Sequence, residues 1–449
     1  VADDRFYVKT LTLENFRCFE KAELGPFDPH FNLLIGENGA GKSSVLVALA
    51  ELFSPMGTTP DRRIPKRPEL SDIRKVSSME DMIGRKLPFQ ALLRSKFLPA
   101  TAPFATMLRK ETETDLTISE DFDASLGATR TSESFFLRSH NERLGAGTAL
   151  PLIAFYKTER RFLAGRRDSS TTENLSHPRY AALNGWTNAG LQSQALTEWL
   201  RDETLAKYQG DARYYLASGA GNDSESGYFI DLVVRAVAAG VEGAKHIDYS
   251  GAASEIVLTY NDGRKQKLSE MSDGQRAIVC LFADLARRMC ILNGSSLQER
   301  ALTDTPGLVL IDEIDLHLHP KWQRQIVPAL KKVFPKIQFF ATTHSPQVIG
   351  ECRPEEIVLL TPQGQKKYVP GSYGMDSNWI LECVMEAEGR NPEIAKRIKS
   401  LFDLIDNDRL DEAKAEIRRL REELPAVAPD IVSAEAYIWN LEHSDEAAE

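Results

Sequence analysis

The clearest chemistry lies in eight consecutive residues. Gly36-Glu37-Asn38-Gly39-Ala40-Gly41-Lys42-Ser43 fits G-x-x-x-x-G-K-S/T at every fixed position. Glycines in such a loop let backbone N–H groups close around phosphates, and a following helix N-terminus favours their negative charge. Lys42 is then placed to reach the β- and γ-phosphates. Ser43 is placed to ligate a divalent cation, and Ser44 joins the phosphate-binding set. Alone, this loop says only that a nucleotide is bound.

A second cluster follows much later. Leu308-Val309-Leu310-Ile311-Asp312-Glu313 is an apolar run that ends in two carboxylates. A central strand delivers acids in this way at its carboxyl end, where open α/β sheets bind ligands. Asp312 suits the metal, and Glu313 suits the attacking water. Just beyond, Asp315, His317 and His319 suggest a metal site. Helical metal pairs need spacings of three or four residues, as in H-E-x-x-H, so a loop leading into a helix at Pro320 is the better account. Ser272-Asp273-Gly274-Gln275, read alone, is a helix N-cap with a flexible turn.

The surrounding pattern supplies the elements that position these groups. Residues 7–13 alternate as a strand does. Residues 31–35, 152–156, 308–311, 337–341 and 357–360 read as buried strands. Residues 43–53, 272–289 and 320–333 read as helices, and 196–236 as largely helical with a break at 218–227. Asn261-Asp262-Gly263 supplies the turn of a hairpin formed by 256–260 and 265–268. Residues 89–97 and 116–118 read as pieces of a sheet. From Trp379 onward the pattern is helical, with Ile398, Leu401, Phe402, Ile405, Leu410, Ala413, Ile417 and Leu420 at helical spacing.

Length and composition narrow the class. The chain has 449 residues with 42% hydrophobic content, enough for two or three domains with sizeable cores. No apolar run is long enough to span a bilayer, and residues 1–4 lack signal-peptide character. Five cysteines form no C-x-x-C pair. Reduced thiols in a cytoplasmic protein are expected. The net charge of -10 is unevenly placed. Residues 376–449 hold 19 acidic and 9 basic residues, whereas 61–110 hold 12 basic and 5 acidic ones. The chain is therefore no general nucleic-acid binder by charge. Its basic segment admits DNA contact, and its acidic tail suits a protein partner.

Taken in this order, the segments resemble an ABC-type ATPase. Ser272-Asp273-Gly274-Gln275 is similar to the ABC signature, with Asp273 in place of a glycine, a variant familiar in the SMC and RecF branch. The resemblance implies that this segment faces a nucleotide held by a second copy of the chain. It therefore implies a homodimer or higher homo-oligomer of heads, with ATP and Mg²⁺ at the interface. It also implies that His344 contacts the γ-phosphate as a switch histidine. Asp315 belongs with the nucleotide-binding set. Leu11-Thr12-Leu13-Glu14-Asn15-Phe16-Arg17-Cys18-Phe19 looks like the opening strand of RecF-like and SMC-like heads, where Arg17 approaches the nucleotide. The glutamine loop of such sites is not located, with Gln90 as one candidate.

Between Lys42 and Ser272 lie 229 residues, which demands an insertion too short for a long coiled coil. The expected fold is α/β, an ABC-ATPase head with a mixed sheet, a RecA-like core, a helical insertion and a C-terminal helical extension. The expected boundaries are 1–164 for the N-terminal lobe, 165–250 for the insertion, 251–365 for the C-terminal lobe and 366–449 for an acidic helical domain. The stretch Phe155-Tyr156-Lys157-Thr158-Glu159-Arg160-Arg161-Phe162 and the stretch Gly374-Met375-Asp376-Ser377-Asn378-Trp379-Ile380-Leu381-Glu382 resemble the ATPase subunits of Septu and retron-associated anti-phage systems. That family implies slow ATP hydrolysis and a partner nuclease of HNH type, a motif the chain lacks. Two other readings stay open: a RecF-like repair ATPase that binds DNA directly, and a nucleotide-gated scaffold.

Overall fold

The computed structural model describes residues 7–53, 75–76, 84–85, 89–96, 103–110, 117–122, 149–158, 178–191, 193–209, 215–216, 227–361, 366–367, 369, 371–387, 391–425 and 428–443. The chain enters as two antiparallel strands, β1 (Tyr7–Phe16) and β2 (Phe19–Leu24), with Phe16 opposite Phe19 across a tight turn. Next come β3 (Phe31–Ile35) and the helix α1 (Lys42–Leu52), joined by the glycine loop. Strands β4 (Phe89–Lys96), β5 (Pro103–Lys110) and β6 (Thr117–Phe122) complete a five-stranded antiparallel sheet in the order β2-β1-β4-β5-β6. Sequence reading anticipated β4 and the start of β6 but missed β5, whose run opens on a proline.

The core sheet is built from β3 and later strands. These are β7 (Leu152–Tyr156), β11 (Gly307–Ile311), β12 (Ile337–Thr342), β13 (Ile357–Leu360) and β14 (Lys366–Lys367). Between β7 and β11 run α2 (Ser193–Gln209), α3 (Phe229–Gly240), the small sheet β8 (Ala244–Ser250), β9 (Glu255–Tyr260) and β10 (Lys265–Lys267), and the long helix α4 (Asp273–Leu297). Helix α5 (Pro320–Val333) connects β11 to β12.

The six-stranded order is β14-β13-β3-β12-β11-β7. Every pair from β13 to β7 is parallel, and β14 is antiparallel to β13. Strands β3, β7, β11 and β12 are buried at every residue, as strands of a sheet covered on both faces must be. The parallel register sets the loop after β3 beside the loops after β12 and β11, so all three open at one sheet edge. This is the expected mixed sheet with a parallel core.

Two expected boundaries shift. A cut at 250/251 would sever β8 from β9, which pair antiparallel from Ala244 to Tyr260, so β8 belongs with the small sheet. Its sequence, Ala-Lys-His-Ile-Asp-Tyr-Ser, buries only Ala244 and Ile247, a weak strand signal. The chain also divides into compact units at 1–380 and 381–449, later than the expected 366.

The C-terminal unit is a bundle of α6 (Pro392–Asp406), α7 (Leu410–Glu423) and α8 (Pro429–His443). Its core contains Ile398, Leu401, Ile405, Ala413, Ile417, Leu420, Ile431, Ala434 and Ile438. Phe402 and Leu410 pack against that core. Arg397 braces the bundle by donating to Glu416 at 2.7 Å and to Glu423 at 2.8 Å.

One buried acid makes stability depend on pH. Glu203 on α2 is 1% exposed, and its Oε2 has no hydrogen-bond partner among the described residues. Burial, helped by the neighbouring Asp202, pushes its carboxyl up from 4.5 to about 8. The folded chain therefore holds a proton that the unfolded chain gives up. The stability contributed by the neutral acid is complete below about 4.5 and is lost as pH rises to about 8. Glu203→Gln is expected to flatten this part of the melting-temperature profile. The variant should gain on the parent steadily between pH 5 and pH 8.5, a trend that thermal unfolding across that range checks.

Candidate functional site

The glycine loop is shaped by backbone that only glycine adopts easily. Gly36, Gly39 and Gly41 have φ of 145°, 86° and 95°. A Cβ on Gly41 would also lie 2.3 Å from the Phe19 ring and 2.7 Å from Cys18 Sγ. The β1–β2 turn is thus packed against the mouth of the loop. Lys42 is 8% exposed and donates to the carbonyls of Gly36 at 2.8 Å and Glu37 at 2.9 Å. Burial pulls its ammonium below the usual lysine range, while Asp312 and Glu313 oppose that shift.

Ser43 stands where a cation site needs a hydroxyl. Its Oγ donates to Asp312 Oδ1 at 3.1 Å, and Thr342 Oγ1 donates to the same oxygen at 2.6 Å. The Glu313 amide donates to Thr342 Oγ1 at 2.7 Å, and the Asp312 amide donates to the Tyr156 carbonyl at 2.8 Å. Thr342 therefore fixes both acids. Glu313 has φ of 50°, which turns the chain sharply after β11. Ser43 and Asp312 are hard oxygen donors on adjacent elements and fit Mg²⁺.

These groups surround one cavity of about 640 Å³. Its lining includes Arg17, Cys18, Asn38, Gly39, Gly41, Lys42, Ser43, Ser44, Asp312, Glu313, Thr342 and His344. Most residues expected from sequence thus meet there. Gly36, Glu37 and Ala40 shape the loop without lining the cavity. Asp315 does not line it either: its carboxylate accepts from Thr343 Oγ1 at 2.5 Å and ties the loop after β11 to the loop after β12. Gln90 lies on β4 opposite Glu14, and its side chain falls outside the described residues.

The signature segment sits elsewhere. Ser272 caps α4: its Oγ accepts from the Gln275 amide at 3.3 Å, and Gln275 Oε1 accepts from the Ser272 amide at 3.2 Å. Ser272 and Asp273 are exposed, whereas Gly274 is buried. A Cβ on Gly274 would lie 2.2 Å from the His317 carbonyl oxygen, so the start of α4 rests directly on the loop after the acidic pair. His319 caps α5, its Nδ1 accepting from the Lys321 amide at 3.3 Å. Ser272 and Gln275 line a separate cleft of about 630 Å³ with Tyr260, Arg264, His319 and Trp322. Within one chain, these two signature residues do not line the phosphate-loop cavity.

Sequence reasoning missed Thr342 and the Tyr156 carbonyl. Thr342 is the last residue of β12, and only the parallel pairing of β12 with β11 brings it to Asp312.

The family described as "AAA domain, putative AbiEii toxin, Type IV TA system" matches residues 115–350, just over half of the chain. The chain belongs to this AAA family. The family described as "AAA ATPase domain" matches residues 7–162, so the AAA match extends over both the glycine loop and the acidic pair. Among relatives, this AAA protein is 24% identical over 391 residues to the retron Vc95 probable ATPase of Vibrio cholerae serotype O1 biovar El Tor, covering 79% of this chain and 73% of that one. It is 42% identical over 152 residues to the retron Ec83 probable ATPase of Escherichia coli, covering 34% of this chain and 27% of that one. It is 47% identical over 88 residues to the Septu protein PtuA of Bacillus thuringiensis, covering 18% and 22%. The matched part thus spans about a quarter of the length of the Ec83 and PtuA relatives.

Proposed function

We propose that this chain binds and hydrolyses ATP with Mg²⁺ and acts as the ATPase subunit of an anti-phage defence complex. Two heads pair head-to-tail across two ATP molecules, and that pairing controls a partner effector, a nuclease of HNH type. The observation that carries the ATPase reading is the convergence of Lys42, Ser43, Asp312, Glu313 and His344 on one cavity. What supports pairing is the separate position of Ser272 and Gln275, which leaves half of the expected contacts to another copy.

The residues divide the work. The loop amides and Lys42 hold the phosphates, and Arg17 approaches from the β1–β2 turn. Ser43 and Asp312 would hold Mg²⁺, which would supply charge neutralisation at the phosphate oxygens. Glu313 orients the attacking water, and His344 contacts the γ-phosphate. The defence role and the partner rest on the similarity to retron and Septu proteins, and the acidic C-terminal unit offers a docking or oligomerisation surface. No helix among the described residues is long and apolar enough to cross a membrane, and we place the protein in the cytoplasm. The RecF-like alternative would use the basic segment 62–109 to hold DNA directly. ATP-dependent DNA binding by this chain alone, weakened by charge reversal there, would favour it.

The test is the mass of Glu313→Gln in solution. With MgATP the variant should double in mass, and with MgADP it should not. An unchanged mass with both nucleotides would count against ATP-driven pairing.

A further inference from the structure

Helix α4 and strand β7 are locked together at two points, and neither lock belongs to the nucleotide cavity. The first is near the start of β7. Asn293 donates to the Leu150 carbonyl and accepts from the Leu150 amide, both at 2.8 Å. The second is at the end of β7. Tyr156 is fully buried, and its hydroxyl donates to Asp284 Oδ2 at 2.8 Å. Asp284 lies about three turns into α4.

Asp284 is the hub of a buried network. Arg287 donates to its Oδ1 through Nε at 3.1 Å and Nη2 at 2.7 Å, and Arg288 Nε donates to its Oδ2 at 2.8 Å. Arg288 also donates to the Ala182 carbonyl at 2.6 Å. Burial alone would push the Asp284 carboxyl up, but the two guanidiniums outweigh it and hold the acid below its ordinary range. Burying this much charge is expensive, and apolar residues of similar volume would pack a core as well. The arrangement gives direction instead. Each partner has fixed geometry, so α4 cannot slide along β7 without breaking several bonds at once.

The second lock leads straight to the metal carboxylate. The carbonyl of Tyr156, the residue whose hydroxyl reaches α4, accepts the Asp312 amide at 2.8 Å. One residue thus joins the signature helix to the backbone of Asp312. We propose that Tyr156 and Asp284 are positioning residues that couple the signature end of α4 to Asp312, so that contact at Ser272 sets the geometry of the cation site. This rests on the ATPase reading above. A nucleotide seated against Ser272 pushes on the helix N-terminus. The Tyr156–Asp284 bond passes that displacement to the end of β7, and the Tyr156 carbonyl passes it to Asp312.

The test is a double-mutant cycle on the full chain. Tyr156→Phe removes one hydroxyl and keeps the ring. Asp284 is left in place, because its loss would strand two buried guanidiniums. Tyr156→Phe is expected to lower kcat about tenfold, with KM for ATP and melting temperature little changed. Ser272→Ala, which touches no part of the network, is expected to lower kcat as well. If the two act along one path, the double variant should be no slower than the slower single variant. Multiplied effects would overturn the coupling, as would a Tyr156→Phe whose kcat stays within twofold of the parent. A drop in kcat matched by a lower melting temperature and a raised KM would assign Tyr156 to stability alone and overturn it too. Lys42→Ala separates this from the parent reading. If the wild-type chain turns over no faster than that variant, the ATPase reading fails and the coupling fails with it.

Discussion

Glu313→Gln is expected to lower ATP turnover by about two to three orders of magnitude while leaving nucleotide binding intact. The side chains are isosteric, so the turn at φ 50° and the amide bond to Thr342 should survive. What is lost is the carboxylate proposed to orient and polarise water. The proposed cation ligands Ser43 and Asp312 are untouched, so the variant should hold MgATP without consuming it. Single-turnover measurement with labelled ATP, alongside equilibrium binding, checks both halves. A variant that hydrolyses within tenfold of the parent would move the catalytic role away from Glu313.

Lys42→Ala should have a different signature. Lys42 is 8% exposed at the cavity wall, held by the carbonyls of Gly36 and Glu37. Charge-assisted contacts to phosphate are about twice as strong as neutral ones, and this cation is largely desolvated. Its loss should weaken MgATP binding by about a hundredfold, roughly 2.7 kcal/mol, and abolish turnover as a consequence. The fold should persist, because the glycine backbone and α1 do not depend on the ammonium. Titration calorimetry with ATP and a melting curve separate the two effects. Glu313→Gln binds without turning over, whereas Lys42→Ala binds weakly and does not turn over. That contrast distinguishes a hydrolytic site from a nucleotide-gated scaffold.

Legibility in the sequence followed the physics of each element. The loop at 36–43 was readable because only glycines adopt its φ values. The acidic pair was readable only beside the phosphate loop upstream, because two carboxylates after an apolar strand say little on their own. The C-terminal bundle was readable because Ile398, Leu401, Ile405, Ala413, Ile417 and Leu420 recur at helical spacing and form its core. Thr342 and the Tyr156 carbonyl were not. Their roles arise from register between strands far apart in sequence, and neither residue type announces the contact. Strand β8 was hidden inside a segment read as helical because only two of its residues face a core. Asp315 accepts from Thr343, a contact that its place beside the acid pair does not announce. The requirement for glycine at 274 comes from the His317 carbonyl, a contact that no local pattern encodes.

In the proposed pair, the phosphate loop is half of a site completed by Ser272 of a second copy. The most direct test mixes two inactive chains. Lys42→Ala keeps a good signature and Ser272→Arg keeps a good phosphate loop. In a mixed head-to-tail pair, one of the two sites is whole. Equal amounts pairing at random should therefore recover up to about a quarter of wild-type turnover from two chains that are each silent alone. Turnover no higher than the sum of the separate chains, or a Ser272→Arg chain as active as the parent, would contradict a composite site.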